Sequence, residues 1–212
     1  MRWKKGKRVV LGKGGVLFAG FLLLMFLEIQ RYFTVIDPII TEYVQRLIPR
    51  FLDIPLSFFS LLGSSEVTSL ILLFFAWLLY QRTKKLPLAL LLFGFIFVFE
   101  IIGKLFVFHP GPPSIFFRYN LPFVFPTAYV RTDYSFPSGH VSRTIYLLVV
   151  GVFLAWRYLG NRQQKTAALA LAILTAFIMA VSRIYLGEHW TSDVFGGVFL
   201  GASLGTISVA FF

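Results

Sequence analysis

The stretch Ser182–Asp193 holds Arg183, Glu188, His189 and Asp193 at the head of an otherwise apolar run. Charges at the edge of a bilayer cost free energy, so they ordinarily face a cavity or a partner and mark a function. A helix beginning near His189 sets Asp193 at i+4, on the same face. A carboxylate there accepts from one imidazole nitrogen and leaves the other free as a nucleophile or base. Arg183 adds a planar fork of donors suited to a phosphate. The plainer alternative is a surface salt bridge among helix-end residues, which contributes little.

A second segment, Pro137-Ser138-Gly139-His140 followed by Arg143, is chemically legible by itself. Gly139 permits a tight turn. The first N–H groups of a helix are unpaired and favour an anion, and Ser138 adds a hydroxyl donor. His140, in the first turn, can hold a proton for a leaving group. The alternative is a helix-start turn with Ser138 as its cap. A third candidate, Lys104, closes an apolar run, with Glu100 four residues earlier as a possible partner. Its alternative is a lysine that snorkels to the interface.

These residues must be positioned by elements that composition already constrains. The chain of 212 residues is 58% hydrophobic and 18% aromatic, with mean hydropathy +0.79. Such values exclude an ordinary soluble domain and predict a polytopic membrane protein. With no cysteine, disulfides, thiol catalysis and thiolate metal sites are excluded. The net charge of +11 falls in short clusters between apolar runs, the pattern of cytoplasmic loops and not of a nucleic-acid surface.

The apolar runs predict six spans. They lie at about 15–36, 66–80, 86–108, 137–156, 166–181 and 190–212, with Pro137 as a first-turn proline. The basic start and apolar middle of residues 1–36 also fit a signal peptide, but no small-residue cleavage site stands out, so a retained first helix is predicted. Residues 43–51 read as a short interfacial helix or a plain loop. The Pro-rich segment 109–136 cannot be helical throughout. Its aromatics, Phe116, Phe117, Tyr119, Phe123, Phe125 and Tyr129, read as packing, with a cover over the pocket or a dip into lipid as the alternatives. Trp190 reads as an interfacial anchor and Glu188 as a solvated rim charge. Asp133 is a loop carboxylate within tuning range of His140. Basic clusters fall before span one, after span two and after span four. The positive-inside rule then places both termini in the cytoplasm and segments 109–136 and 182–189 on the outer face.

Together these pieces resemble the type 2 phosphatidic acid phosphatase (PAP2) family, over about residues 60–212 of a single membrane domain. Pro137-Ser138-Gly139-His140 matches its second motif. Ser182, Arg183, His189 and Asp193 match its third at the same spacing. The first motif, a lysine followed six residues later by Arg-Pro, is matched by Lys104 and Pro112, but Gly111 stands where the arginine belongs. His109, Arg118, Arg131 and Arg143 are candidates to supply that charge.

The resemblance implies an all-α bundle of six transmembrane helices in a bacterial plasma membrane, and a metal-independent lipid phosphatase without cofactor. His189 attacks phosphorus, Asp193 orients it, and His140 protonates the departing oxygen and then activates water. Lys104, Ser138, Gly139 and Arg183 hold the phosphoryl oxygens. Fixed cations and N–H donors suit a phosphoryl transition state, and no metal is expected, because there is no cluster of carboxylates for a magnesium site. The implied partner is a lipid phosphate: undecaprenyl pyrophosphate, phosphatidylglycerol phosphate or phosphatidic acid, with the first favoured. The alternatives are a lipid phosphotransferase using the same phosphohistidine, and a lipid-binding or transport protein with a decayed site.

Overall fold

The computed structural model of the chain describes residues 2–85, 87–122 and 134–212, with side chains from residue 6 onward. Phe123, Phe125, Tyr129, Arg131 and Asp133 lie outside the described residues. The described residues form eight α-helices, and extended pairing among them is limited to one antiparallel bridge between Pro110 and Tyr134. The helices are α1 (Arg2–Ile29), α2 (Ile36–Leu47), α3 (Asp53–Ser60), α4 (Ser65–Thr83), α5 (Gly94–Phe106), α6 (Gly139–Tyr158), α7 (Arg162–Tyr185) and α8 (Thr191–Val209).

Local chemistry sets several boundaries. The Ser64 hydroxyl caps α4 by accepting from the Val67 N–H at 3.3 Å. Asn161 caps α7 in the same way, through the Gln163 N–H at 2.8 Å. That cap draws Arg162 and Lys165 into the helix, so the fifth span is longer than the predicted 166–181. At its other end α7 runs on through Arg183, whose buried charge is compensated by partners and does not stop the helix. Pro137 is not a first-turn proline. It precedes Ser138, the residue flanking α6, and its bond to Phe136 is cis.

Among the described residues, five helical segments are long and apolar enough to cross a membrane: Gly6–Ile29, Leu88–Phe106, Gly139–Tyr158, Arg162–Tyr185 and Thr191–Val209. Arg50–Gly63 and Ser65–Thr83, bent by 49° at their junction, supply a sixth when taken as one broken span. The chain is therefore an all-α, polytopic membrane bundle.

Helix α2 resolves the ambiguity over the segment after α1, and it is inverted relative to a helix lying on water. Asp37, Thr41 and Gln45, one face at i, i+4 and i+8, are buried. Ile36, Ile39, Tyr43 and Leu47 are exposed, as expected of a helix with lipid outside and polar groups inside.

Helix α8 is the centre of the bundle, packed chiefly against α6 and α1. Gly197, Gly201 and Gly205 recur every four residues along one face, the small-residue pattern that lets membrane helices approach closely. At Gly201 a Cβ would lie 2.2 Å from the Ser142 carbonyl oxygen of α6. Around this contact Phe21, Ile96, Phe136, Tyr146, Val150 and Leu200 are buried, with the Phe21 and Phe136 rings stacked at 5.9 Å. The Tyr146 hydroxyl meets Ser208 Oγ at 3.0 Å, so this buried polar group is satisfied.

The charges separate along the bundle. Lys7 lies 4.0 Å over the Phe211 ring, Arg82 stacks on Tyr158, and Arg157 bonds the Phe212 carbonyl, all at the end where α8 finishes. The end where α6 and α8 begin carries the three histidines and the carboxylates of Glu28, Asp37, Glu100, Glu188 and Asp193, with Lys104, Arg143 and Arg183 paired among them. Gly201→Ala should force α6 and α8 apart at the cost of about 1–3 kcal/mol. A lowered unfolding temperature in detergent checks this, and an unchanged one would mean that the Ser142 backbone yields freely.

Candidate active site

The two motif segments meet at the point where α6 and α8 start. The Ser138 N–H donates to the Asp193 carbonyl oxygen at 3.0 Å, which ties one helix entrance to the other. Asp193 is fully buried in the first turn of α8. Its Oδ2 accepts the Trp190 N–H at 2.9 Å, a reach-back to the residue before the helix, and lies 3.4 Å from His189 Nδ1. His189 itself stands just outside α8, so the i+4 pairing is made by the helix entrance and not by two residues inside the helix. The contact is longer than an ideal hydrogen bond. Burial pushes the His189 imidazole below its ordinary range. The Asp193 hydrogen bond and charge oppose that, while Arg183 and Lys104 add to it. A depressed value keeps the ring neutral, as a nucleophile requires.

His140 is half-buried in the first turn of α6. A Cβ on Gly63 would lie 2.9 Å from its Cβ, so the turn before α4 walls the ring closely. The charges of Arg183, Arg143, His189 and Lys104 all act on it. The two histidine segments, 49 residues apart in sequence (189 − 140), therefore share one electrostatic neighbourhood. Ser138 Oγ is buried and makes no hydrogen bond among the described residues, so it remains available as a donor. It is not the side-chain cap of α6.

The cations are all partnered. Lys104 Nζ lies 2.9 Å from Glu100 Oε1, as its i, i+4 spacing allows. Arg143 Nη1 takes the other Glu100 oxygen at 2.7 Å and donates to the Gly63 carbonyl through Nε and Nη2, each at 3.2 Å. The Glu100 carboxylate rests against Gly139, where a Cβ would come within 2.2 Å of both oxygens. Arg183 is 3% exposed and contacts Ser60 and Glu188. Glu188 is thus an internal counter-ion and not a solvated rim charge. Trp190 is also corrected: it is buried, donates from Nε1 to the Pro110 carbonyl at 2.7 Å, and meets Phe116 edge to face. It pins the first-motif loop to the His189 loop.

Of the residues considered for the charge missing at Gly111, Arg118 donates to the Gln45 carbonyl at 3.1 Å and stacks on Tyr185. Arg143 is committed as above. His109 points elsewhere, into a buried acidic cluster that sequence reasoning did not find. Its Nδ1 is 3.0 Å from Glu28 Oε2, and its Nε2 is 3.6 Å from Asp37 Oδ2 and 3.7 Å from Asp193 Oδ1. Asp37 in turn accepts from the Ser192 N–H at 3.0 Å and hydroxyl at 2.5 Å. Burial would lower His109, but the Glu28 carboxylate 3.0 Å from its Nδ1 and the charges of Asp193 and Asp37 outweigh it and raise the ring above its ordinary range. Asp37 is pushed up to about 6, chiefly by burial, against the Ser192 hydrogen bonds. Glu28, His109 and Asp193 offer ligand atoms within 4.8 Å of one another, so the fold does assemble carboxylates that no short stretch of sequence brings together. A signal existed: Glu28 is an ionisable residue inside the first apolar run, which by default marks a site.

Comparison with known proteins follows the same residues. The model of the PAP2 superfamily matches residues 84–212. The chain is 30% identical over 140 residues to a protein of Sulfolobus acidocaldarius named undecaprenyl-diphosphatase, covering 62% of this chain and 58% of that one. It is 32% identical over 121 residues to the putative undecaprenyl-diphosphatase YbjG of Escherichia coli, covering 57% and 53%. It thus spans little more than half the length of these relatives. Its fold is similar to the crystal structure of a transmembrane PAP2-type phosphatidylglycerolphosphate phosphatase from Bacillus subtilis, with TM-score 0.76 and 23% identity over 94% of this chain and 95% of that one.

The first motif's departure is testable at its own position. A Cβ on Gly111 meets nothing nearer than Ser135 Cβ at 3.6 Å, an ordinary contact. The position thus admits a Cβ, and Gly111→Arg should raise the rate of phosphate release by roughly tenfold, the scale of one charge-assisted contact. A fall in rate would mean that another group already fills that space.

Proposed function

The chain belongs to the PAP2 superfamily, and from that membership and the geometry of its helix entrances we propose that it removes phosphate from a lipid phosphate or diphosphate through a phosphohistidine at His189. The observation that carries the proposal is the His189–Asp193 pair at 3.4 Å, set on a fully buried carboxylate and tied through Ser138 to the segment that bears His140.

In this mechanism the free Nε2 of His189 attacks the terminal phosphorus, and the bond to the leaving oxygen breaks: the lipid alcohol oxygen of a monophosphate, or the bridging oxygen of a diphosphate, which leaves as the lipid monophosphate. Asp193 holds the ring by Nδ1 and stabilises the charge that develops on it. His140 gives its proton to the departing oxygen. It then takes one from the water that cleaves the P–N bond, returning His189 to its starting state and releasing phosphate. Lys104, Arg183, Ser138 and the Gly139 N–H hold the phosphoryl oxygens, so that stabilisation is electrostatic and preorganised. A phosphate entering this cradle exchanges places with the Glu100 and Glu188 carboxylates that now neutralise Lys104 and Arg183.

The place of the site in the bundle supports a lipid substrate. The histidines lie at the end of an apolar bundle, so a lipid tail can stay in the bilayer while its headgroup reaches the cations. The names of the relatives support undecaprenyl diphosphate, with phosphatidylglycerol phosphate as the second choice. The basic residues gathered at the opposite end support cytoplasmic termini and a site on the outer face. The pairing of every site cation with a carboxylate, together with Gly111, favours one rival: a lipid-binding protein with a decayed site.

The deciding assay is phosphate release from a panel of lipid phosphates in detergent. His189→Ala should abolish release while the protein still folds and inserts; retained turnover would remove the nucleophile. Asp193→Asn should slow turnover by about 10²–10⁴, through loss of ring orientation. Lipid binding without any release by the unaltered protein would favour the decayed-site reading.

A further inference from the structure

The cluster behind Asp193 is not used by the mechanism above, yet it touches the same carboxylate. Asp193 has two oxygens with different surroundings. Oδ2 faces the catalytic side, with the Trp190 N–H and His189. Oδ1 faces the interior, is fully buried, and accepts no hydrogen bond among the described residues. The group nearest to it in charge is the Nε2 of His109, at 3.7 Å. His109 is 6% exposed, Glu28 1%, Asp37 2% and Asp193 0%, so water does not compensate these charges.

We infer that His109 is a positioning residue, which clamps Asp193 from behind, against Glu28 of α1 and Asp37 of α2, so that Oδ2 stays aimed at His189. The inference rests on the proposed role of His189. The ring has carboxylate oxygens on both sides, at 3.0 Å from Nδ1 and at 3.6 and 3.7 Å from Nε2. A neutral imidazole donates from one nitrogen only and would turn a lone pair toward a carboxylate on the other. The doubly protonated ring is the form that fits. It places one positive charge among Glu28, Asp37 and Asp193, the titratable groups that face it from α1, α2 and α8. The raised affinity of His109 for its proton agrees with this. The loop carrying His109 is itself anchored to the nucleophile loop, through the Trp190 Nε1 bond to Pro110. A shift of His109 therefore reaches both sides of Asp193.

Removing this cation leaves Asp193 facing Glu28 and Asp37 with no positive group between them, and a carboxylate repelled from behind no longer keeps Oδ2 aimed at His189. Its charge is also no longer offset by a neighbouring cation, so it holds a proton on His189 more strongly, and activity is lost from the acid side first.

The test has two parts. In the first, ¹⁵N-histidine NMR of the unaltered protein in detergent reads the three imidazoles of the chain directly. The His109 signals are assigned by elimination with His140→Gln and His189→Gln, so no folded His109 variant is needed. Both ring nitrogens of His109 should be protonated at pH 7. A neutral ring overturns the inference, and a neutral ring with a stoichiometric metal ion would show instead that Nε2 is a ligand. In the second, His109→Gln should lower kcat at least tenfold with little change in KM, and move the acidic limb of the pH–rate profile upward by about one unit. A variant with the wild-type kcat and an unmoved limb also overturns the inference. The NMR result does not depend on catalysis, and turnover by His189→Ala tests the nucleophile separately, so the two readings fail independently.

Discussion

The structure turns on one buried carboxylate. Asp193 is wholly inaccessible at the entrance of α8, and four things meet it: the Trp190 N–H, the His189 ring, the Ser138 N–H on its own carbonyl, and His109 on its far side. An ionised group so placed costs several kcal/mol to desolvate, and removing one partner of a buried pair typically costs about 3–5 kcal/mol. The helices are arranged to meet that cost. α8 offers its N-terminal end, α6 starts against it, and α1 and α2 bring Glu28 and Asp37 to the imidazole behind it.

The same logic governs the cations. Lys104, Arg143 and Arg183 lie at the edge of an apolar bundle, and each has an internal carboxylate partner. Glu100 holds two of them at once, with its carboxylate pressed on Gly139. Three cations thus share two carboxylates, Glu100 and Glu188, and each of the three is paired. Gly111, where the family pattern has an arginine, leaves the group without a further cation at that position.

Charge also orders the bundle along its axis. Lys7, Arg82 and Arg157 settle on aromatic rings or carbonyls at one end, while all three histidines and the carboxylates of Glu28, Asp37, Glu100, Glu188 and Asp193 lie at the other, with their paired cations. Helix α2 follows the same division in cross-section, with Asp37, Thr41 and Gln45 inward and its apolar face outward. In water that orientation would be reversed. It is stable where the surrounding medium is lipid and the polar groups have partners inside.

Much of this was legible in the chain. The apolar runs, the basic clusters and the spacing of Ser182, Arg183, His189 and Asp193 each follow from near neighbours in sequence. Periodicity and motif spacing report such short-range relations, and they determined the all-α membrane bundle, the family and the identity of the candidate residues. Partners distant in sequence were not legible. That Glu188 compensates Arg183, that Trp190 anchors the Pro110 loop, that Arg143 is spent on Glu100 and Gly63, and that Glu28 and Asp37 close around His109 were decided only by tertiary structure. The reason is physical: burial forces every charge to find a counter-charge, but which one it finds depends on how helices far apart in the chain come to lie side by side.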